Sequence, residues 1–83
     1  MASDRTLHLV IASVDETLFD GDAVSVTVPG SAGECTILPS HEPLVTTLRR
    51  GTITARFSGN EPRTFDVTDG VLECSGHSVT VLL

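Results

Sequence analysis

The sequence predicts an all-β domain, and three observations carry that expectation. Val and Thr together supply 21 of the 83 residues and Lys is absent; branched Cβ atoms lose rotamer freedom in a helix but pack well on a pleated surface. Ala23-Val24-Ser25-Val26-Thr27-Val28 alternates with the period of two that a half-buried strand requires, Val24, Val26 and Val28 on one side. Turn residues recur at Phe19-Asp20-Gly21-Asp22, Pro29-Gly30-Ser31-Ala32-Gly33, Ser58-Gly59-Asn60-Glu61-Pro62, Asp69-Gly70 and Ser75-Gly76. They reverse the chain before a long helix can form.

The elements follow in order. Leu7, Leu9 and Ile11 face inward on the first strand, and the Val24–Val28 strand follows the Asp-Gly turn. Cys35-Thr36-Ile37-Leu38 makes a short strand after the glycine-rich turn. Ile53, Ala55 and Phe57 define the next inward row, then Phe65-Asp66-Val67, Val71-Leu72-Glu73-Cys74, and finally Val79, Val81 and Leu83. Leu44-Val45-Thr46-Thr47-Leu48-Arg49-Arg50 alone reads as a turn or two of helix, too short to stand by itself. The total is about seven to ten short antiparallel strands joined by hairpins, the arrangement of a sandwich or flattened barrel. One domain spans 1–83, since so short a chain builds a single core, and residues 1–5 are read as a flexible lead.

Composition excludes several classes. At 40% hydrophobic and 19% charged the chain is too apolar for a disordered tail. No apolar run approaches the roughly 20 residues of a membrane helix. The opening Met1-Ala2-Ser3-Asp4-Arg5 lacks the basic and apolar regions of a targeting segment, so the protein is expected to work where it is made. A net charge of −6 opposes binding to nucleic acid or to an anionic membrane surface. The charge is uneven: residues 1–48 hold seven acids against Arg5, whereas residues 49–83 balance four acids with Arg49, Arg50, Arg56 and Arg63. A solvated acidic surface is the plainer account of the first half.

No set of residues reads as catalytic, metal-binding or cofactor-binding. The acid pairs Asp15-Glu16 and Asp20/Asp22 flank turns, where carboxylates are ordinarily solvated, and an EF-hand loop is missing. His8 faces outward on its strand and His77 sits in a turn. His41 differs, because Pro39 and Pro43 stiffen its segment as in a contact loop. Ser40-His41-Glu42 is no hydrolytic triad, since those groups must converge from separate segments. Gly30-Ser31-Ala32-Gly33-Glu34 lacks the Lys and the following helix of a phosphate loop. Cys35 reads as a buried inert thiol, and Cys35 and Cys74 are not expected to form a structural disulfide. A mean hydropathy of +0.20 with no catalytic constellation suggests surplus apolar surface and hence an interaction module, with outward Thr52 and Thr54 on a candidate docking face. The competing reading is a stand-alone ligand-binding or enzymatic β-sandwich using His41 with Glu34 or Glu42, which requires an enclosed pocket.

Leu18-Phe19-Asp20-Gly21, Val26-Thr27-Val28-Pro29-Gly30-Ser31-Ala32-Gly33-Glu34, Ile37-Leu38-Pro39-Ser40-His41-Glu42-Pro43-Leu44 and Asp69-Gly70-Val71-Leu72-Glu73, in that order and spacing, resemble the epsilon subunit of F-type ATP synthases over about residues 6–83. The resemblance implies a flattened, ten-stranded β-sandwich. It also implies a non-catalytic central-stalk subunit that binds gamma and the c-ring on the cytoplasmic face of a bacterial inner membrane and helps couple proton flow to ATP synthesis. Carried over position by position, Gly30, Ser31, Ala32, Gly33 and Glu34 face the c-ring, while Ser13, His41 and Thr46 lie beside gamma. No cofactor or nucleotide is implied on these residues.

The sequence departs from the family at three places. It stops at Val79-Thr80-Val81-Leu82-Leu83, where the family continues into an inhibitory two-helix hairpin, so hairpin-type inhibition of ATP hydrolysis is not expected. The Met1 start without a tag is read as a naturally short subunit. Asp69 and Ser40 stand where the family usually has glycine; Asp69 is expected to keep its turn at slight cost, and Ser40 alters the loop before His41.

Overall fold

The computed structural model describes residues 6–83, apart from the side chain of His41; the expectation for residues 1–5 falls outside the described residues. The described chain is all β, in nine strands: β1 Leu7–Ala12, β2 Thr17–Ala23, β3 Ser25–Gly30, β4 Gly33–Ile37, β5 His41–Leu48, β6 Gly51–Phe57, β7 Asn60–Val67, β8 Gly70–Gly76 and β9 Ser78–Leu82. Nine falls within the range read from turn spacing and one short of the ten that the resemblance implied. β5 runs as one strand through a register shift between His41 and Leu44.

The strands form one curled sheet in the order β2-β1-β9-β8-β5-β3-β6-β7, with β4 added to β3. Curling brings the ends of that order together: the Phe19 ring on β2 lies 5.6 Å from Phe57 on β6 and 5.9 Å from Phe65 on β7, both tilted. The Arg63 guanidinium stands 5.2 Å from the centroids of Phe19 and Phe65, a cation–π clasp over the seam. The concave side is filled by alternating residues, among them Leu7, Leu9, Ile11, Val26, Val28, Ile37, Ile53, Leu72, Val79 and Val81, all essentially inaccessible. Among the described residues every buried side-chain polar atom has a hydrogen-bond partner.

Three expectations are corrected. The segment from Leu44 belongs to strand β5, not a helical turn. Leu44, Thr46 and Leu48 alternate inward while Val45 and Thr47 face out, and pairing with β8 supplies the backbone bonds that a lone helical turn lacks. Asp20-Gly21-Asp22 is the middle of β2 rather than a turn, because β1 pairs it through Val10↔Asp20, Leu9↔Gly21 and His8↔Asp22. The turn lies earlier, at Ser13–Glu16, where the Ser13 N–H donates to the Glu16 carbonyl at 2.8 Å. Finally, the strands are not all antiparallel: β1 and β9 pair in parallel, His8↔Ser78 through Ala12↔Leu82. Hairpins force antiparallel neighbours only where strands are consecutive, and nearly the whole chain separates these two.

Val24 lies in the bend between β2 and β3, half-buried, and its N–H donates to the Arg56 carbonyl at 2.7 Å. The inward register of Val26 and Val28 is as read. Asp69 keeps its turn without a positive φ, whereas Ser40 takes φ 64° and so adopts the left-handed conformation that glycine enters without cost.

Candidate functional site

The Gly30–Glu34 segment is a tight reversal between β3 and β4, closed by the Gly30↔Gly33 pair. Glycine is demanded at both ends. A Cβ on Gly30 would stand 2.8 Å from the Gly33 carbonyl oxygen, and Gly33 has φ 138°. The reversal is tied to β5, since the Ser31 N–H donates to the Thr47 carbonyl at 2.9 Å and the Thr47 hydroxyl donates to the Ser31 hydroxyl at 2.8 Å. Ser31, Ala32 and Glu34 are exposed on this braced turn. Glu34 therefore presents a carboxylate from a fixed backbone, suited to accepting charge-assisted hydrogen bonds from a polar partner.

Ser13, Thr46 and His41 are not gathered into one cluster. Thr46 is half-buried on the inner side of β5, beside Gly30, and its hydroxyl donates to the Thr47 carbonyl at 3.2 Å. It sits under the Gly30–Glu34 turn. Ser13 caps the β1–β2 turn, accepting from the Asp15 N–H at 3.4 Å, with Val14 almost wholly exposed beside it. The backbone register Thr47↔Val71, Val71↔Leu82 and Ala12↔Leu82 connects Ser13 to the same end of the sheet as the turn. The backbone of His41 pairs with Gly76 at the far end of β5; its side chain lies outside the described residues. Seven steps of extended chain separate His41 from Leu48, roughly 20 Å, and Leu48 pairs with Gly30. Glu34 and His41 thus stand at opposite ends of the sheet.

Two outward arrangements escaped the sequence reading. His8 lies between two carboxylates of β2, its Nε2 2.8 Å from Asp20 and its Nδ1 3.4 Å from Asp22. The shared alternation of β1 and β2 was the available signal. Thr6, His8, Asp22, His77 and Ser78 line a shallow cavity of about 290 Å³ there, and the Ser40 hydroxyl meets His77 Nε2 at 2.8 Å. Among the described residues no group of three or more His, Cys, Asp or Glu is arranged to hold a metal ion. Secondly, Thr36, Thr27, Thr54 and Thr64 form a row across β4, β3, β6 and β7. The Thr27 and Thr36 hydroxyls are 2.9 Å apart, and Arg56 donates to Thr27 at 3.2 Å. Thr54 belongs to this row and Thr52 is exposed on the same face.

The thiols are free. Cys74 is buried, and desolvation, with a smaller contribution from nearby Cys35, pushes its pKa up and disfavours the thiolate. Cys35 is half-buried against the core.

Among the described residues, fold and surfaces together define an all-β, curled sandwich domain with a braced, exposed turn between β3 and β4. Residues 6–83 match the family described as ATP synthase, Delta/Epsilon chain, beta-sandwich domain, and the chain belongs to that family. It is 40% identical over 79 residues to the ATP synthase epsilon chain of Herminiimonas arsenicoxydans, covering 94% of this chain and 56% of that one. With the ATP synthase epsilon chain of Bordetella petrii the identity is 45% over 78 residues, covering 93% and 55%. The chain thus spans about half the length of the curated relatives it matches. Its fold is similar to a chain of the Euglena gracilis mitochondrial ATP synthase, with TM-score 0.88 at 19% identity over 94% of this chain and 50% of the other. A chain from the central stalk and c-ring of the Tetrahymena thermophila mitochondrial enzyme gives TM-score 0.75 at 12% identity, over 92% and 61%. No described helix is long and apolar enough to cross a membrane.

Proposed function

We propose that this chain is a non-catalytic subunit of an F-type ATP synthase central stalk, binding gamma and the c-ring and helping to couple proton flow to ATP synthesis. It would work peripherally, at the cytoplasmic face of a bacterial inner membrane. The observation that carries this reading is family membership over residues 6–83; the braced Gly30–Glu34 turn supports it. A part under lateral load must transmit force without yielding, and a curled sheet whose ends are clasped by Phe19, Phe57, Phe65 and Arg63 resists opening. The turn contacts the c-ring through Gly30, Ser31, Ala32, Gly33 and Glu34. Gamma is met through Ser13, His41 and Thr46, which spreads that contact along the sheet rather than at a point.

The purified chain is expected to co-elute with its folded cognate gamma subunit on gel filtration, and repeated failure to do so sinks the reading. Glu34→Lys is expected to lower proton-driven ATP synthesis in the reconstituted enzyme without altering the fold, because an exposed turn carboxylate contributes little to the core. Unchanged coupling removes Glu34 from the contact.

A further inference from the structure

Ser40 stands apart in its backbone. Among the described residues it is the one non-glycine residue with a positive φ, at 64°. Glycine enters that conformation without cost, so what serine adds at this position is its hydroxyl. Strain of this kind collects at reactive sites, where it fixes the direction of a side chain. Here the direction is toward His77, whose Nε2 lies 2.8 Å from the Ser40 Oγ across 37 positions of sequence. The loop before β5 supplies one group and the β8–β9 turn the other. Both residues are exposed, so a reagent reaches them from solvent.

A serine hydroxyl is a weak nucleophile until a neighbouring base takes its proton. With the ring proton on Nδ1, His77 accepts the Ser40 O–H at Nε2, which is the relation that activation requires. His77 also lines the cavity of about 290 Å³ with Thr6, His8, Asp22 and Ser78, which gives room for a short acyl group beside the hydroxyl. Asp22 at His8 Nδ1 and Asp20 at His8 Nε2 place carboxylates next to that space. They disfavour an anionic donor, so the matching reagent is small and uncharged.

We propose that Ser40, activated by His77, is an acyl-acceptor site for a small uncharged ester or thioester. The Ser40 Oγ attacks the acyl carbonyl carbon as its proton passes to Nε2. The new O–C bond forms, the bond to the alcohol or thiol breaks, and the proton moves from Nε2 to that leaving group. The products are a Ser40 ester and a free alcohol or thiol, with nothing oxidised or reduced. The chain is modified once as an acceptor and does not turn over, which is compatible with a non-catalytic stalk subunit.

The test is incubation of the whole purified chain with p-nitrophenyl acetate, a neutral activated ester, followed by peptide mass spectrometry to locate each acetyl group. The chain contains no Lys, so no lysine amine competes for the reagent. Ser58, exposed in the β6–β7 turn, is the internal reference. Ser40 is expected to gain acetyl at least about tenfold faster than Ser58, and His77→Gln, its fold checked by circular dichroism, to remove that advantage. Equal rates at Ser40 and Ser58 in the unaltered chain overturn the proposal. So does an undiminished Ser40 rate in His77→Gln, or acetyl that comes to rest on an imidazole or on Cys35 in place of Ser40.

Discussion

The half of the sheet formed by β2, β1, β9, β8 and β5 and the half formed by β3, β4, β6 and β7 turn equivalent sides inward and different sides outward. Inward, both present aliphatic rows: Leu9, Ile11, Leu72 and Val81 from one, Val26, Val28, Ile37 and Ile53 from the other, all inaccessible. Outward, the first half shows Val45, Val71 and Leu82 among acids, and the second shows a hydroxyl row with Arg56. A shared core constrains the inner rows of both halves alike, because each must fill the same volume at close packing. Nothing in folding requires Val or Leu on an exposed pleat. The difference between the outer faces therefore bears on what the domain touches rather than on how it folds.

The sharpest way to break the claim of one shared core is to cut the same side chain from each half. Val26→Ala and Val81→Ala remove fully buried valines from β3 and β9, and each is expected to cost about 1–3 kcal/mol in urea unfolding. Both should melt in one cooperative transition. Two separate transitions would mean that the halves fold as independent units.

Next in size is a contact where β8 and β9 converge. A Cβ on Gly70 would stand 2.6 Å from the Leu82 carbonyl oxygen, a backbone atom that has little room to give. Gly70→Ala is expected to destabilise by about 1–3 kcal/mol through overpacking. The same substitution at Gly59, in the β6–β7 turn, meets nothing within 4 Å but has φ 76°. Its cost of about 1–2 kcal/mol is purely conformational. A neutral Gly70→Ala, measured beside it, would show that β9 shifts freely against β8.

A smaller effect is expected at Ser40, whose φ of 64° is unfavourable for a residue with a Cβ. Ser40→Gly relieves that strain and loses the hydroxyl contact with His77 at 2.8 Å. The contact is solvent-exposed, so the expected balance is a gain of about 0.5–1 kcal/mol in thermal or urea unfolding. A loss would show that the tie between the loop before β5 and the β8–β9 turn outweighs backbone strain.

The smallest is a pH effect centred on Cys74. Its folded pKa is raised, chiefly by burial, so the unfolded chain releases the proton first as pH increases. The stability this group contributes is therefore complete below the ordinary thiol range and is lost as pH rises from there through the folded pKa. Cys74→Val is expected to flatten the alkaline slope of unfolding free energy. An unchanged slope would assign the alkaline loss to other groups.

Much of this was legible along the chain. Alternation placed Leu7, Leu9, Ile11, Val26, Val28, Ile53, Ala55, Val79 and Val81 on the inner side, and the structure buries all of them. The motif from Val26 to Leu44 pointed to the family. What failed did so where a local signal met a distant partner. Leu44 and Leu48 are spaced for a helix, but pairing with β8 made that stretch a strand. Asp-Gly reads as a turn, but β1 held Asp20-Gly21-Asp22 extended.

The sequence by itself determined the secondary-structure class, the inward rows and the glycine-braced turn, because period and turn chemistry act over a few residues. Only the tertiary structure decided that β1 lies parallel to β9, that His8 falls between Asp20 and Asp22, and that Val45, Val71 and Leu82 merge into one exposed patch. Those juxtapositions depend on which strands become neighbours when the sheet curls. That choice is made by the burial of the whole apolar set at once, and no short stretch of chain encodes it.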